Sequence, residues 1–329
     1  MNAPTSPPII SAETLRQCVF FEDLIEPVSR AFQEFSAGLA ESGVLSLFPA
    51  ARPELGDVLV KTGSIKGHAV YVVKVSPWFA VNTERGQGQG GFVAVFDAAT
   101  GHTRAILNEE HYLSDIRTAA AGTLAARVLA PATVSVASVL GAGIQAYWQA
   151  LALYHARPFR TLLIWARDAQ KATSLQARLQ TKLAGVDIRV ETSIEAAVRA
   201  ADVLLTTTLA REPLVKGEWL RPGQHITAIG ADDSTKSELD ARCLQRADRL
   251  IVDSLASAQQ QGEVYRWLKQ GDLTLDQVHG ELGQVLAGNL AGRRSADDIT
   301  IAKFVGLGVQ DLAAAEVALE KISRRPRNP

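Results

Sequence analysis

The stretch VSVASVLGAGIQAYWQALAL places two closely spaced glycines between a strand-like and a helix-like segment. Gly141, Gly143 and Ala146 form the pattern GxGxxA. In a Rossmann fold, the first glycine of this pattern makes a tight turn and the second lets the backbone approach a pyrophosphate, while the third small residue lets the helix pack on the strand. The phosphate lies at the positive end of that helix. The pattern therefore predicts a dinucleotide site.

The residues after the second predicted strand indicate which dinucleotide binds. A carboxylate at this point would accept hydrogen bonds from the ribose 2′-hydroxyl and repel a 2′-phosphate. Arg167 follows the strand and Lys171 lies one helical turn later, and two cations suit a phosphate. Asp168 between them is interpreted as the N-cap of the next helix, although a ribose-binding role stays open. We therefore expect NADP(H) to be favoured over NAD(H). The predicted cofactor contacts are Gly141, Gly143, Ile144, Gln145, Arg167, Lys171 and Thr208.

The predicted secondary structure changes along the chain from a mixed first part to alternating strands and helices. The apolar spacing of residues 23–38 predicts an amphipathic helix, and the short β-branched runs between residues 57 and 107 predict an antiparallel sheet. An alanine-rich helix is expected over residues 113–129. After Pro131 strands and helices alternate, which implies parallel strands with crossover helices. The last amphipathic pattern, GLGVQDLAAAEVALEKI, predicts a C-terminal helix.

Composition narrows the class of protein. The 329 residues are 47% hydrophobic and 21% charged, a balance typical of soluble globular chains, and 34 basic residues oppose 35 acidic ones. Because no stretch combines basic and aromatic residues, we expect no nucleic-acid partner. Cys18 and Cys243 lack CxxC spacing and the six histidines lack HxxxH spacing, so neither a disulfide nor a metal is expected. The absence of a leader pattern and of any long apolar run predicts a cytoplasmic protein without a membrane partner.

Four motifs occur in an order that resembles the ornithine cyclodeaminase and mu-crystallin family. They are RTAAAGTLAARVLAP at residues 117–131, GAGIQA at 141–146, IGADDSTKSELD at 229–240 and GLGVQDLAAAEV at 306–317. The resemblance implies an α/β fold: a Rossmann dinucleotide-binding domain, residues 126–304, and a discontinuous α+β substrate and dimerisation domain, residues 1–125 and 305–329. It therefore implies a homodimer.

The resemblance also implies the site residues of the first domain. In VVKVSPWFAVN, Lys74 matches the active-site lysine of the family and Asn82 closes the motif as a substrate contact. Arg117 matches the arginine that binds the substrate α-carboxylate. A plain structural alternative is open for each charge: Lys74 as an exposed strand residue, Arg117 as a surface charge at a helix start.

Asp232 matches the catalytic aspartate of the family. The proline and glycine that usually follow are here replaced by Ser234 and Thr235, so the geometry of this loop is an open question. A 2-imino or 2-amino acid beside a nicotinamide needs a cation for its carboxylate and a proton relay at its nitrogen, without a metal. Lys74, Arg117 and Asp232 supply these parts, unless Asp232 only caps a helix.

A departure from the family at Lys61 concerns the substrate. In ornithine cyclodeaminases, the strand before the lysine strand offers a glutamate to the distal ammonium group of the substrate. Here that position aligns with Lys61, which would repel such a group if it points into the substrate pocket. Strand alternation could instead turn Lys61 to solvent.

These observations predict an NAD(P)H-dependent reductase of a cyclic imine or ketimine 2-carboxylate, of the pyrroline- or piperideine-2-carboxylate type. An amino-acid dehydrogenase of the alanine type would be the same site run backwards. Two further alternatives are a cyclodeaminase that converts ornithine to proline with a bound NAD, and a crystallin-like protein that binds a ligand without catalysis. In each case a small imino or amino acid is the expected partner.

Overall fold

The computed structural model describes residues 6–324, so the first five residues, on which the predicted localisation partly rests, lie outside it. The chain divides into two compact units: unit 1 comprises the residues up to Arg117 and from Leu307, and unit 2 is Thr118–Gly306. The predicted boundaries at residues 125 and 305, and the dimerisation role of the discontinuous part, stay predictions.

The helices and strands of both units follow in chain order. The strands are β1 (Ile9–Ser11), β2 (Ala40–Leu47), β3 (Gly56–Ile65), β4 (Val70–Phe79), β5 (Phe92–Asp97), β6 (Thr103–Asn108), β7 (Val136–Leu140), β8 (Thr161–Trp165), β9 (Asp187–Val190), β10 (Val203–Thr206), β11 (His225–Ala228), β12 (Arg249–Val252), β13 (Gly280–Glu281) and β14 (Thr300–Lys303). The helices are α1 (Ala12–Cys18), α2 (Phe21–Ser36), α3 (Ala80–Glu84), α4 (Tyr112–Leu129), α5 (Ile144–Ala156), α6 (Ala169–Gln180), α7 (Ile194–Ala200), α8 (Ala241–Gln245), α9 (Leu255–Ala258), α10 (Gly262–Gln270), α11 (Leu282–Leu286) and α12 (Gly308–Ser323). Short 3₁₀ helices occur at Pro53–Leu55, Gly217–Trp219 and Leu275–Gln277.

Unit 1 is built on a sheet with the strand order β1-β6-β5-β4-β3-β2, antiparallel except for the β1–β6 pair. The predicted antiparallel sheet is therefore confirmed. In β4, buried residues alternate with half-buried ones, because successive side chains of a strand point to opposite faces. Helices α2 and α12 pack on each other, and α12 packs on β3 and β4.

Two glycines allow α12 to approach the sheet at backbone distance. A Cβ atom added to Gly63 of β3 would lie 2.3 Å from the carbonyl oxygen of Gly308, and one added to Gly308 would lie 2.0 Å from that of Thr62. Any side chain at either position would push the helix away. This contact places the first turn of α12, with Gln310 and Asp311, against the centre of the sheet.

Unit 2 is a parallel sheet with the strand order β13-β12-β14-β11-β10-β7-β8-β9. The predicted strand–helix alternation is confirmed, and every residue of β10, β11, β12 and β14 is buried, as expected for strands covered on both faces. The chain order reverses at β7, which lies between β8 and β10. Ligands of such sheets bind beyond the carboxyl ends of the strands at this reversal.

Several sequence expectations concern the whole described chain. Cys18 and Cys243 are both free and buried. Among residues 6–324, no helix is long and apolar enough to cross a membrane. Over the same residues, no group of three or more His, Cys, Asp and Glu side chains could hold a metal ion.

Candidate functional site

Unit 1 contains two lysines that lie directly opposite each other. Lys61 of β3 pairs in register with Lys74 of β4, so both side chains lie on the same face of the sheet. This face is covered, and only 3% of Lys61 and 1% of Lys74 are exposed. The interpretation of Lys74 as an exposed strand residue, and that of Lys61 as turned to solvent, are therefore wrong.

One carboxylate oxygen of α12 holds Lys74 and Arg117. Oδ1 of Asp311 accepts from Nζ of Lys74 at 2.8 Å and from Nε of Arg117 at 3.0 Å. Nη1 of Arg117 donates to the amide oxygen of Gln310 at 3.0 Å. Since Arg117 is 6% exposed, its interpretation as a surface charge is also wrong. A guanidinium carries five N–H donors, of which Asp311 and Gln310 take two.

Burial and charge set the proton affinities in this group. Burial lowers the pKa of Lys74, and the opposite charge of Asp311 only partly offsets it. Burial raises the pKa of Asp311, but the charges of Arg117, Lys74 and Lys61 outweigh that effect and hold the pKa below its ordinary value. Asp311 is therefore ionised at neutral pH, whereas Lys74 gives up its proton more readily than a solvated lysine. Three cations, Lys61, Lys74 and Arg117, are therefore buried around a single ionised carboxylate.

A serine connects Lys74 to a second carboxylate that the sequence did not indicate. Nζ of Lys74 donates to Oγ of Ser114 at 3.1 Å, and that hydroxyl donates to Glu109 at 2.6 Å. The backbone N–H of Ser114 also donates to Glu109, at 2.7 Å. Next to Glu109, Glu110 and His111 have φ angles of 49° and 67°, a conformation that is uncommon for residues other than glycine and that clusters at functional sites.

His111 contacts the end of β4, the strand that carries Lys74. Its Nε2 lies 2.9 Å from the carbonyl oxygen of Pro77 and 3.2 Å from Oγ of Ser76. Burial lowers the pKa of His111, so the ring is neutral at pH 7 and donates from Nε2 to the carbonyl. This histidine orders the strand that carries Lys74.

Asn82 lies in α3 and is half-buried. Its amide nitrogen donates to the side-chain oxygen of Gln89 at 3.2 Å, and the same oxygen accepts from the backbone N–H of Phe79 at 2.9 Å. Asn82 therefore braces the segment that follows β4. Its role as a substrate contact stays a prediction.

The glycine turn of unit 2 fits a dinucleotide. Gly141 has a φ of 117°, and a Cβ atom there would lie 2.5 Å from Oγ1 of Thr207. A Cβ atom on Gly143 would meet nothing within 4 Å, which is the open space that a pyrophosphate needs. Ala146 is fully buried against the sheet, and α5 starts at Ile144 without a side-chain cap. The backbone N–H groups of this 13-residue helix therefore point at the open space.

The residues after β8 include Asp168, which the sequence predicted to be the N-cap of the next helix. Oδ1 of Asp168 accepts from the backbone N–H groups of Gln170 and Lys171 at 2.9 and 3.3 Å, so its role as the N-cap of α6 is confirmed. Arg167 and Lys171 are exposed. The carboxylate of Asp168 is therefore engaged with the helix, and the two cations on either side of it are exposed.

The loop that carries Asp232 has a substitute for the missing proline and glycine. Oδ1 of Asp233 accepts from the backbone N–H groups of Thr235 and Lys236 at 2.6 and 3.1 Å. Thr235 is not among the described residues with positive φ, so this turn does not need a glycine. Nζ of Lys236 donates to Oδ1 of Asp232 at 2.7 Å, and 33% of the Asp232 side chain is exposed.

Sequence reasoning missed Asp311, Gln310, Ser114 and Glu109. Two of these, Gln310 and Asp311, lie within the motif GLGVQD, and both are buried. A carboxylate on the buried side of an otherwise apolar helix was the available signal. Thr208, predicted as a cofactor contact, donates its N–H and hydroxyl to Glu238 at 2.6 and 2.8 Å.

Comparison with known proteins agrees with this architecture. The family model described as the ornithine cyclodeaminase/mu-crystallin family matches residues 7–325. A putative dehydrogenase of Rhizobium meliloti is 42% identical over 267 residues, which cover 81% of this chain and 80% of that protein.

Two solved structures superpose over almost the whole chain. One is the Δ1-pyrroline-2-carboxylate reductase of Thermococcus litoralis in complex with NADH and L-proline, with a TM-score of 0.88 and 28% identity over 96% of this chain and 97% of that one. The other is an archaeal alanine dehydrogenase dimer with bound NAD, with a TM-score of 0.88 and 30% identity over 96% of each chain. The predicted α/β fold class with a Rossmann domain is confirmed.

Proposed function

The chain belongs to the ornithine cyclodeaminase/mu-crystallin family, and from this premise we propose that it is an NAD(P)H-dependent reductase of a cyclic imine or ketimine that carries a 2-carboxylate. The substrate class is of the pyrroline- or piperideine-2-carboxylate type. The observation that carries this proposal is the single Asp311 oxygen that orients both Lys74 and Arg117 on a buried face. Two cations held in fixed positions are suited to binding a small carboxylate. An ion pair that served only stability would not need two cations on one oxygen.

In the proposed reaction the carbon of the C=N bond gains a hydride and the nitrogen gains a proton, which yields a secondary or primary amine. The reduced nicotinamide supplies the hydride. Arg117 and Lys74 hold the carboxylate, and Asp232 passes the proton to the nitrogen, since its exposed carboxylate can exchange protons with water. The lowered pKa of Lys74 makes it a second proton donor for the same step.

The nicotinamide nucleotide is supported by the glycine turn and by the NADH and NAD of the two superposed structures. We propose a preference for NADP(H). It rests on Arg167 and Lys171 beside the end of β8, and on Asp168, whose carboxylate is occupied as a helix cap. These groups leave two cations and no competing carboxylate for the phosphate on the adenosine ribose.

A cyclodeaminase is the second candidate function, because the family name includes it. Its substrate ornithine carries a distal ammonium group. Lys61 is buried on the same face as Lys74. An ammonium group of the substrate near these two lysines would be repelled by their charges. The position of Lys61 therefore favours reduction of a neutral cyclic imine, and the same site run backwards is an amino-acid dehydrogenase. The complete set of Lys74, Arg117 and Asp232 disfavours a crystallin-like protein without catalysis.

A homodimer is proposed from the opposite face of the unit 1 sheet. Leu45, Val60, Val75 and Phe92 pair in register across four neighbouring strands, and Leu45 and Phe92 are 57% and 37% exposed. A continuous apolar row of this kind marks an interaction surface, and a second copy of the chain is the proposed occupant. Leu45→Glu should shift the sedimentation coefficient to that of a monomer, and a native protein that sediments as a monomer would contradict the dimer.

A cytoplasmic location stays a prediction.

The test of the function is NADPH and NADH oxidation, followed at 340 nm, with pyrroline-2-carboxylate and piperideine-2-carboxylate as substrates. Stoichiometric oxidation with formation of proline or pipecolate is the expected result. In parallel, the protein is incubated with ornithine and a catalytic amount of NAD. Rapid release of ammonia and proline without net cofactor consumption would replace the reductase with a cyclodeaminase.

A further inference from the structure

We propose that the buried carboxylate of Glu238 is a positioning residue that ties Thr208, the predicted cofactor contact, to the loop that carries Asp232. The roles of Thr208 and Asp232 rest on the proposed function, whereas the geometry of Glu238 stands by itself. Glu238 touches neither substrate nor cofactor in this proposal, and it acts through the two segments that it joins.

Four donors converge on Glu238, two on each oxygen. Oε1 accepts from the backbone N–H and the hydroxyl of Thr208, at 2.6 and 2.8 Å. Oε2 accepts from the hydroxyl of Thr206 at 2.7 Å and from the backbone N–H of Gly230 at 2.9 Å. Each oxygen therefore binds one backbone N–H, one in each segment. A side chain with a single acceptor oxygen cannot satisfy both segments.

The two segments that Glu238 joins are also in direct contact. A Cβ atom added to Gly230 would lie 2.2 Å from the carbonyl oxygen of Thr208 and 2.6 Å from Oε1 of Glu238. Gly230 lies two residues before Asp232. A displacement of Thr208 would therefore move the loop that carries Asp232.

A second buried pair fixes the loop on either side of Asp232. Nζ of Lys303 donates to the carbonyl oxygen of Ala231 at 2.6 Å and lies 2.9 Å from the carboxylate of Glu263. Glu263 also accepts from the backbone N–H of Glu238 at 2.8 Å. The backbone around Asp232 is held at Gly230 and at Ala231, while the Asp232 side chain remains one-third exposed.

The composition of this group indicates a functional constraint. Glu238 and Glu263 are fully buried and Lys303 is 1% exposed. Removing two carboxylates and an ammonium from water is unfavourable, and apolar residues of similar volume are often as stabilising. A role in holding one backbone geometry around Asp232 therefore explains these three buried charges better than a contribution to stability does.

The principal test is Glu238→Gln in the full-length protein, assayed at pH 8, where Glu238 is ionised. The substitution keeps the shape of the side chain but removes one acceptor. We expect kcat for imine reduction to fall about tenfold or more while KM for the imine changes less than about threefold. Asp240→Asn is the matched control, because Oδ1 of Asp240 likewise accepts from two backbone N–H groups, those of Gly217 and Cys243. The control should retain native kcat. A Glu238→Gln protein with native kcat, or a control with an equal loss, would overturn the proposal.

A double-mutant cycle separates positioning from general stability. If Glu238 acts through Asp232, then Glu238→Gln should change the residual rate of the Asp232→Asn protein less than about twofold. Equal losses in both backgrounds would show that Glu238 acts independently of Asp232 and would refute the inference. If Glu238→Gln is insoluble, Thr206→Val removes a single donor at nearly constant volume and should lower kcat about threefold; an unchanged kcat would count against the proposal.

Nucleotide affinity provides a readout that does not depend on turnover. We expect the Kd of NADPH, measured by fluorescence, to rise about threefold or more in Glu238→Gln because Thr208 is no longer held. An unchanged Kd would overturn this part of the inference. A native protein that reduces no imine would refute the proposed function, and the Kd of the variant would still test the role of Glu238.

Discussion

Lys61 and Lys74 are partners in register on neighbouring antiparallel strands, and both side chains lie on the buried face of the unit 1 sheet. Asp311 accepts a hydrogen bond from Lys74, and the charges of both lysines lower the pKa of its carboxyl group. In the proposed function this arrangement binds the substrate carboxylate and disfavours a second ammonium group on the substrate.

Ligands with a distal ammonium group should therefore bind weakly. Like charges about 4 Å apart at an effective dielectric constant of about 20 repel by roughly 4 kcal/mol before screening. We expect L-ornithine to inhibit imine reduction at least about tenfold more weakly than L-norvaline, which has the same chain without the terminal nitrogen. Lys61→Met should narrow this difference, whereas Lys66→Met, at an exposed lysine of the same hairpin, should not. Equal inhibition of the native protein by both amino acids would contradict this role of Lys61.

Truncation of Arg117 should damage substrate binding more than folding. Loss of a buried guanidinium–carboxylate contact is worth roughly 2 to 5 kcal/mol, so Arg117→Ala should raise KM steeply and lower kcat/KM about 30-fold or more. Arg104→Ala is the control, because Arg104 is an exposed arginine of unit 1 paired with Asp97. Normal turnover by a soluble Arg117→Ala protein would remove Arg117 from the site.

Nucleotide selectivity should depend on Arg167. We expect the native protein to bind NADPH at least about tenfold more tightly than NADH, a difference of roughly 1.4 kcal/mol. Arg167→Asp should reverse this order, because a carboxylate repels the 2′-phosphate and accepts from a ribose hydroxyl. Lys182→Asp, at an exposed lysine after α6, should leave it unchanged. Isothermal titration with both nucleotides measures the ratio, and equal Kd values for the native protein would refute the preference.

The stability of the protein should fall with rising pH through Glu238. Burial and the neighbouring Glu263 carboxylate raise the pKa of Glu238 to about 7, while Lys303 and the hydrogen bonds from Thr208 and Thr206 act in the opposite direction. Because the pKa is raised in the folded state, the folded protein retains this proton where the unfolded chain has lost it. In this protonated form the carboxyl group donates to the hydroxyl of Thr206 or Thr208, and the arrangement with four donors belongs to the ionised form at higher pH. The stabilisation is complete below the unfolded value of 4.5 and is lost as pH rises to about 7, by roughly 3 kcal/mol at most.

Urea unfolding of the native protein and of Glu238→Gln at several pH values between 5 and 8 measures this effect. The free energy of unfolding of the native protein should decline relative to that of the variant across this range. A difference that is constant with pH would show that Glu238 titrates normally in the folded protein. The comparison with the variant removes the contribution of every other titrating group that the two proteins share.

Local patterns in the sequence were sufficient for much of the architecture. The apolar period of residues 23–38 predicted a helix that is observed as Phe21–Ser36, because helical periodicity depends on neighbours three and four residues apart. The strands β3 to β6 and the helix α4 followed from the same kind of local signal. The turn at Gly141 and Gly143 was recognisable because its glycines, its strand and its helix are contiguous in the chain. The N-cap at Asp168 also depends on residues within three positions.

The partners of the candidate residues depended on contacts between distant parts of the chain. Asp311 is 237 positions from Lys74 and 194 from Arg117, and no periodicity within α12 indicates which side chains it meets. The register between β3 and β4, set by the folding of the hairpin, decided that Lys61 shares a face with Lys74, since a shift of one residue would have turned Lys61 to the other side. The four donors around Glu238 come together only at the carboxyl ends of the neighbouring parallel strands β10 and β11. These strands are paired in the sheet but separated in sequence by the connection between them, which contains the 3₁₀ helix Gly217–Trp219.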